Sequence, residues 1–436
     1  MGSLERYPDR AYANAEEVVA DHVIATYLLR EPVLDIFERA LGMAMEQTVG
    51  AATYRDAESA TLIAAHGGKV IAIQEIPDHE HLDHPLAVDA APDPQERTYL
   101  VQVAYPAANA AGQIPMLLTT VFGDVSQVGR IKMVDLTLPR AFLDGFRGPR
   151  FGVEGLRRLT GVTDRPLVCG ILKPCIGLTV PETAALFREL AEGGADIVKD
   201  DELNGQNQPD HLRERVAAVA KEAQRIKEEH GRTVLYMANV TDRADRMLEK
   251  ARIAVDAGAG AVMLTAITTG WSALQQVAED NDVSVPVYAH SALSAPLSLS
   301  PEYGISSHIV LGKLPRLAGA DMSSFSTPFG RFPARPEKWM RLSKVLRSPL
   351  GNLAPTMPMT GGGLDARVAA PALAALGRDV VLIGGGRVQG HPMGHRAGVR
   401  SLRLAIDAAI QGRPLEDAAR EHRELAYLFE STSDGR

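Results

Sequence analysis

The sequence predicts an α/β protein: a C-terminal (β/α)8 TIM barrel preceded by a smaller α+β domain of the ferredoxin-like kind. Three observations lead there. From Pro166 onward, short apolar runs alternate with amphipathic stretches, and eight such runs fall within about 250 residues, the count for this barrel. Before Pro166, strand-like and helix-like runs mix without regular alternation. Polar or glycine-rich residues follow seven of the eight barrel runs, at the strand ends where such a barrel keeps its active site. A doubly wound open sheet is the runner-up, but it usually stops at five or six strands.

The 436 residues are 45% hydrophobic and 23% charged, an ordinary soluble composition. The formal charge of -8 argues against nucleic acid as a partner. No apolar run reaches the ~18 residues of a membrane span. The start, MGSLERYPDR, lacks an apolar signal core, so the cytoplasm is the expected location. Cys169 and Cys175 are the only cysteines and do not form a CxxC pair.

In chain order, residues 1–20 read as a loose arm and 21–145 as the α+β domain. Residues 146–436 read as the barrel with a helical tail. HVIATYLLR from His22 reads as a strand, and Pro32 opens a helical pattern through Met45. TLIAAHGGKVIAIQEI from Thr61 reads as two strands around His66-Gly67-Gly68, followed by a polar loop over 77–97. TYLVQVAYP from Thr98 and IKMVDLTLP from Ile131 read as strands; PMLLTTVFG between them suits either a helix or a strand. The eight barrel strands begin near Leu167, Ala195, Val234, Ala261, Val285, Ala320, Pro355 and Val380.

The second barrel strand ends in GADIVKDDE, Gly194 to Glu202. Alternate strand residues share a face, so Lys199 and Asp201 point the same way and Glu202 can turn back toward them. Two carboxylates suit a hard cation such as Mg²⁺. An ammonium repels a metal, but a neutral lysine can add CO₂ and become an anionic carbamate ligand, and burial favours the neutral amine. The alternative is a strand-end ion cluster in which Lys199 bridges two acids. Other strand ends carry Lys173, Asn239, His290, Ser324, Thr360-Gly361-Gly362 and Gly384-Gly385-Gly386. Bare amides of the two glycine stretches can cradle a phosphate, or the glycines simply make turns. Asn239 suits a substrate hydrogen bond. His391, His395 and Cys175 read as structural.

These segments resemble the RuBisCO superfamily. GILKPCIGLT at Gly170 is similar to its KPK-x-GLS segment, and GADIVKDDE to its activating-lysine motif. TGGG and IGGG are similar to its phosphate-binding segments, and MEQTVG at Met45 and TTVFGD at Thr119 to its N-terminal motifs. The resemblance implies a homodimer whose active site is completed by Glu46 and Thr120 of the partner's N-terminal domain. It implies Mg²⁺ held by carbamylated Lys199, Asp201 and Glu202, with CO₂ as the source of the carbamate. Lys173 would lie near the reacting carbons and His290 in the site. Thr360, Gly361, Gly362, Gly385 and Gly386 would bind one phosphate.

The departures are as informative. Cys175 replaces the second lysine of KPK, and Ser291, Ser294 and Ser324 stand where carboxylases have arginine and histidines. Arg331 replaces the mobile-loop lysine, Thr120 an asparagine, and Ala51-Ala52 a Thr-Trp pair. The pattern is that of a RuBisCO-like protein, similar to the 2,3-diketo-5-methylthiopentyl-1-phosphate enolases, which carry a lysine where this chain has Asp124. The expected activity is Mg²⁺-dependent enolisation of a phosphorylated sugar-derived ketone: a tautomerisation, isomerisation or decarboxylation without net CO₂ fixation, by an enzyme of the isomerase or lyase class. The enolising base would be the Lys199 carbamate or Lys173, with Asp124 weaker. True ribulose-1,5-bisphosphate carboxylation and a non-catalytic phosphosugar-binding protein are the alternatives.

Overall fold

The computed structural model describes residues 12–32, 36–50, 57–76, 96–331 and 333–430. Of the loop expected over 77–97, residues 77–95 lie outside them and Glu96 and Arg97 instead begin a strand; the arm up to residue 11 and Ala51-Ala52 also lie outside them. The strands, in chain order, are β1 (His22–Pro32), β2 (Lys69–Glu75), β3 (Glu96–Pro106), β4 (Arg130–Thr137), β5 (Leu167–Ile171), β6 (Ile197–Lys199), β7 (Leu235–Asn239), β8 (Ala261–Leu264), β9 (Val287–Ala289), β10 (Gly304–Ile305), β11 (Met322–Ser326), β12 (Met357–Gly361) and β13 (Val381–Gly384). Two compact units form. One holds the described residues up to Phe146 together with Ser294–Val310; the other holds Arg147–Leu293 and Leu311 onward.

In the first unit the sheet order is β10-β4-β1-β3-β2. β1 lies antiparallel to both β3 and β4, and the helices Ile36–Glu46 and Ile114–Phe122 complete the ferredoxin-like pattern. The short β10 comes from the segment after barrel strand β9 and adds to β4 in parallel, Gly304 beside Lys132. Lys132 is buried and donates to the carbonyl of Ser298, 3.0 Å away, which ties that excursion to the sheet.

Two expectations are corrected here. Thr61–His66 is not a strand but the end of a helix, Ala57–His66. Its four alanines favour a helix, and Gly68 ends it where a Cβ would meet the Ala44 carbonyl oxygen at 2.4 Å. Residues 15–18 of the expected loose arm form a helical turn, because Asn14 and Glu17 make a reciprocal capping box. The ambiguous PMLLTTVFG is a helix, Ile114–Phe122.

The second unit is a closed barrel of eight parallel strands, β5 to β9 and β11 to β13. Its interior is filled by Leu167, Ile197, Leu235, Tyr288 and the methionines 237, 263, 322, 357 and 359, all buried. Two strands enter through the same device, Gly-Ala-Asp. Gly319 takes φ +91°, a left-handed turn with the Ala278 methyl so close that a Cβ would meet it at 2.8 Å. The aspartate two residues on is buried and gathers orphan backbone N–H groups. Asp196 accepts from Val168 N at 2.9 Å and bidentately from Arg165. Asp321 accepts from Phe151, Gly152 and Val287 N–H at 2.6–2.9 Å. Burial pushes the Asp321 carboxyl up to about 6 despite these donors. No helix among the described residues is long and apolar enough to cross a membrane.

Replacing Asp321 by alanine leaves three buried N–H donors without an acceptor. The expected loss is on the order of 3 kcal/mol, read as a fall in the urea midpoint at constant m-value. A loss below about 0.5 kcal/mol, within the range of ordinary surface changes, would show that the clip is not structural.

Candidate active site

The register sets the site's level. Gly384 of β13 pairs with Gly170 of β5, and Ile171 of β5 pairs with Lys199 of β6. The glycine stretch after β13, Lys173 just past β5 and Lys199 therefore emerge at one end of the barrel. All the expected strand-end residues lie at this C-terminal mouth.

The KDDE turn divides by side-chain direction. Asp200 turns inward, fully buried, and is saturated there. It accepts from Arg215 Nη2 (3.1 Å), Tyr236 Oη (2.7 Å) and the Asn239 backbone N–H (3.0 Å). With Asp200 so held, Lys199, Asp201 and Glu202 are left to face the mouth. Lys199 Nζ lies 3.2 Å from Glu202 Oε2 and 2.9 Å from the Asp200 carbonyl oxygen, on a side chain 1% exposed. Lys173 Nζ lies 2.5 Å from Asp201 Oδ2 and 3.0 Å from Cys175 Sγ. His290 Nε2 lies 3.3 Å from Glu202 Oε2.

Charge sets the protonation states. Burial alone would raise Asp201, but Lys173, the Leu203 N–H and Lys199 outweigh it and hold the carboxyl below its ordinary range. Glu202 is likewise lowered against its burial, by Lys199 and His290. Burial would lower Lys173, yet Asp201 and Cys175 raise it. Burial first, then the Lys199 charge, pushes His290 down to about 4, so the ring is neutral near pH 7. Its Nδ1 accepts from Ala292 N–H at 3.2 Å, which assigns the proton to Nε2, facing Glu202.

Two lysine ammonium groups thus face two carboxylates, and the cluster is neutral overall. Carboxylation of Lys199 exchanges a positive charge for a negative one and leaves a surplus of two negative charges. Three oxygen-bearing groups with that surplus fit a hard divalent cation such as Mg²⁺.

The other expected residues fall differently. Asn239 is 1% exposed, and its amide donates to the carbonyls of Asp201, Glu202 and Asn204 while accepting from Thr241 N–H. It holds the carboxylate-bearing turn, where a substrate contact had been expected. Thr360 is buried with its hydroxyl accepting from Trp339 Nε1 at 2.9 Å. Gly361 packs where a Cβ would meet Ile383 at 2.8 Å, whereas a Cβ at Gly386 would meet nothing within 4 Å. Gly362 is exposed at φ +91° and Gly385 half-buried. Arg331 is exposed, and its backbone N–H donates to the Gly362 carbonyl at 2.7 Å, pinning the loop after β11 against the TGGG stretch. Ser324 donates to Ser291 at 3.1 Å.

Glu46 and Thr120 belong to the first unit. Glu46 is exposed at a helix end and Thr120 is buried on the helix Ile114–Phe122. Thr119 and Thr120 line a concavity of about 560 Å³ with Thr48, His66, Asn109 and Met116. Asp124 is exposed in the turn after that helix. His391 Nε2 donates to the Glu424 carbonyl while its Nδ1 accepts from Met393 N–H, the ring packs on Tyr427, and His395 meets Glu189. One further acidic group, Glu192, Glu229 and His230, is an ion-pair network in which Arg188 binds Glu192 and Glu229.

Sequence reasoning missed Arg215 and Tyr236. The signal was present: Leu212, Arg215, Val216 and Val219 form one buried stripe of the helix Pro209–His230, and an arginine inside such a stripe needs an anion.

A barrel with an N-terminal α+β unit and a strand-end KDDE cluster defines a RuBisCO-type protein, and the comparisons agree. The family model "Ribulose bisphosphate carboxylase large chain, catalytic domain" matches residues 152–432, so the chain belongs to the RuBisCO large-chain family. A "Ribulose bisphosphate carboxylase-like protein" of Archaeoglobus fulgidus is 37% identical over 393 residues, 90% of this chain and 88% of that protein. A "2,3-diketo-5-methylthiopentyl-1-phosphate enolase" of Bacillus cereus is 34% identical over 395 residues, 91% and 94% of the two chains. The crystal structure of a rubisco-like protein (MtnW) from Alicyclobacillus acidocaldarius superposes with a TM-score of 0.84 at 37% identity, covering 94% of this chain and 99% of that one.

Because Asp201 and Glu202 are held below their ordinary values, the stability they contribute is complete above the usual carboxylate range near 4. It is lost as pH falls through their lowered values. Lys173→Met removes a cation from Asp201, brings its carboxyl back up, and is expected to move the acid-unfolding midpoint to higher pH. Circular dichroism against pH reads this directly; an unchanged midpoint would mean that the ion pair does not act on stability.

Proposed function

We propose that the protein is a RuBisCO-like enolase: an Mg²⁺-dependent enzyme that enolises a phosphorylated, sugar-derived ketone without net CO₂ fixation. The observation that carries this is the neutral Lys173–Asp201–Lys199–Glu202 cluster at the barrel mouth, which becomes a divalent-cation site by one chemical change on Lys199. Lys199 as its carbamate, Asp201 and Glu202 would hold the ion. Bound Mg²⁺ supplies Lewis-acid polarisation of a carbonyl, which lowers the cost of the enolate.

The chain's own residues do the rest. Lys173 is only partly buried beside Asp201: as an ammonium it steadies the oxygen that gains charge, and as the free amine it takes the α proton. Neutral His290 donates from Nε2 to Glu202 and holds that carboxylate in place. The open amides at Gly362, Gly385 and Gly386, with Thr360 and the Arg331 loop behind them, receive the phosphate. The enolase relatives' named substrate is the first ketone to offer. Asp124, where those enolases carry lysine, makes a related ketone the next choice and leaves the outcome between isomerase and lyase chemistry. We place the protein in a homodimer in which Glu46 and Thr120 complete the partner's site.

Deuterium uptake by the ketone, followed by NMR, should require both Mg²⁺ and bicarbonate pre-incubation and should vanish in Lys199→Ala. Full exchange in CO₂-free buffer with chelator would overturn the metal and carbamate reading. Lys173→Met should lose exchange while still binding ligand.

Substrate charge gives a second test. Ser291 and Ser324 hydrogen-bond each other where a second phosphate would need cations, and charge-assisted hydrogen bonds are roughly twice as strong as neutral ones. A sugar monophosphate should therefore inhibit exchange about as well as a bisphosphate. A bisphosphate that binds about a hundredfold tighter, worth ~2.7 kcal/mol, would reveal a second phosphate site.

A further inference from the structure

The two glycine stretches after β12 and β13 are joined by charged side chains. Asp365 lies three residues after Gly362, and Arg387 directly follows Gly386. Arg387 Nη1 lies 3.3 Å from Asp365 Oδ2, so its guanidinium reaches from one stretch to the other. Asp365 is buried, and Arg367 already engages both of its oxygens. Arg367 Nε donates to Oδ1 at 3.1 Å, Nη2 to Oδ2 at 2.6 Å, and the Arg367 backbone N–H to Oδ1 at 3.0 Å. Burial alone would raise the Asp365 carboxyl, but Arg367, with a smaller share from Arg387, outweighs it and holds the group below its ordinary range.

One carboxylate thus faces two arginines, and the three groups carry one positive charge in excess. The division is unequal. Arg367 makes the bidentate pair, the strong arrangement for a guanidinium and a carboxylate. Arg387 makes one long contact, on a side chain 53% exposed. It is not needed to neutralise Asp365, because Arg367 does so alone. The space beside it is open: a Cβ at Gly386 would meet nothing within 4 Å. Backbone amides there carry no net charge, whereas a phosphate monoester brings about −1.5 to −2 at neutral pH.

We propose that Arg387 is the cation of the phosphate site, its guanidinium donating to phosphate oxygens seated on the amides at Gly385 and Gly386. Arg367 keeps Asp365 paired while Arg387 turns to the ligand. The site is then selective for a phosphate ester over the same ketone without its phosphate. This rests on the enolase reading above, which puts the phosphate at those glycines.

The test is calorimetry on the full chain with inorganic phosphate, fructose 1-phosphate and fructose as probes. The wild type should bind the two phosphates and not fructose. Arg387→Gln should weaken both phosphates by about tenfold, the loss of a charge-assisted hydrogen bond. Its urea midpoint without ligand should match the wild type's. Arg387→Lys should regain part of the affinity, because it restores the charge without the planar fork. Unchanged phosphate affinity in Arg387→Gln, with or without lost stability, makes Arg387 a mere partner of Asp365 and overturns the proposal. A lysine variant as weak as the glutamine one shows that charge is not the cause and overturns it too. Gly386→Asp tests the reading beneath: a carboxylate set where the phosphate sits should abolish binding. If the wild type binds no phosphate, or Gly386→Asp still binds it, the phosphate placement in the enolase reading fails. If Gly386→Asp abolishes binding and Arg387→Gln matches the wild type, only this inference fails.

Discussion

The pairing of Asp200 with Arg215 is the constraint on which the site depends. Four consecutive charged residues at the end of a three-residue strand have no intrinsic reason to sort themselves. Asp200 is drawn inward because Arg215, Tyr236 and the Asn239 N–H saturate it, in a place where an unpaired charge would be prohibitive. Strand alternation then forces Lys199 and Asp201 to the opposite side, and Asn239 closes the turn that brings Glu202 round. Burial is the largest single influence on Arg215 and favours loss of its charge, but Asp200 and Tyr236 together outweigh it and raise the guanidinium. The pair therefore stays ionised and the turn keeps one geometry.

The barrel mouth inherits its precision from the opposite end. Asp196 and Asp321 each tie the start of a strand to backbone from elsewhere in the same unit. β6 is short and its ladder is brief, so its level relative to β5 and β7 depends on such clips as much as on strand pairing. The link runs from a Gly-Ala-Asp sequence to a fixed strand entry, then to a fixed strand exit, and so to the spacing of Lys173, Lys199 and His290.

Much of this was legible in the sequence because its physics is local. Barrel strands are continuous apolar runs, and eight of them were readable as such; the KDDE alternation follows from the period of two. What was not legible depends on tertiary placement. Thr61–His66 carries β-branched and apolar residues, and only the alanines and the close approach of Gly68 to Ala44 decide for a helix. Asn239 stands at a strand end like a substrate ligand, yet its amide is taken by three carbonyls that the sequence cannot place beside it. Thr360 sits in a glycine-rich phosphate motif, while its hydroxyl is already bonded to Trp339 from the helix Pro336–Arg347.

On the enolase reading proposed above, the resting cluster would also account for a lysine in a cation site. A site built only of Asp201, Glu202 and a third carboxylate would crowd three anions in a buried place whenever no cation is present, at a high desolvation and repulsion cost. With lysine the same position is positive at rest, pairs with Glu202, and leaves the mouth neutral beside the Lys173–Asp201 pair. On that reading the negative surplus would exist only after CO₂ is added, together with the need for it. The same logic accounts for His290: beside a lysine that repels its proton and within a buried wall, it stays neutral and can donate to Glu202 without adding a charge that an incoming cation would have to overcome.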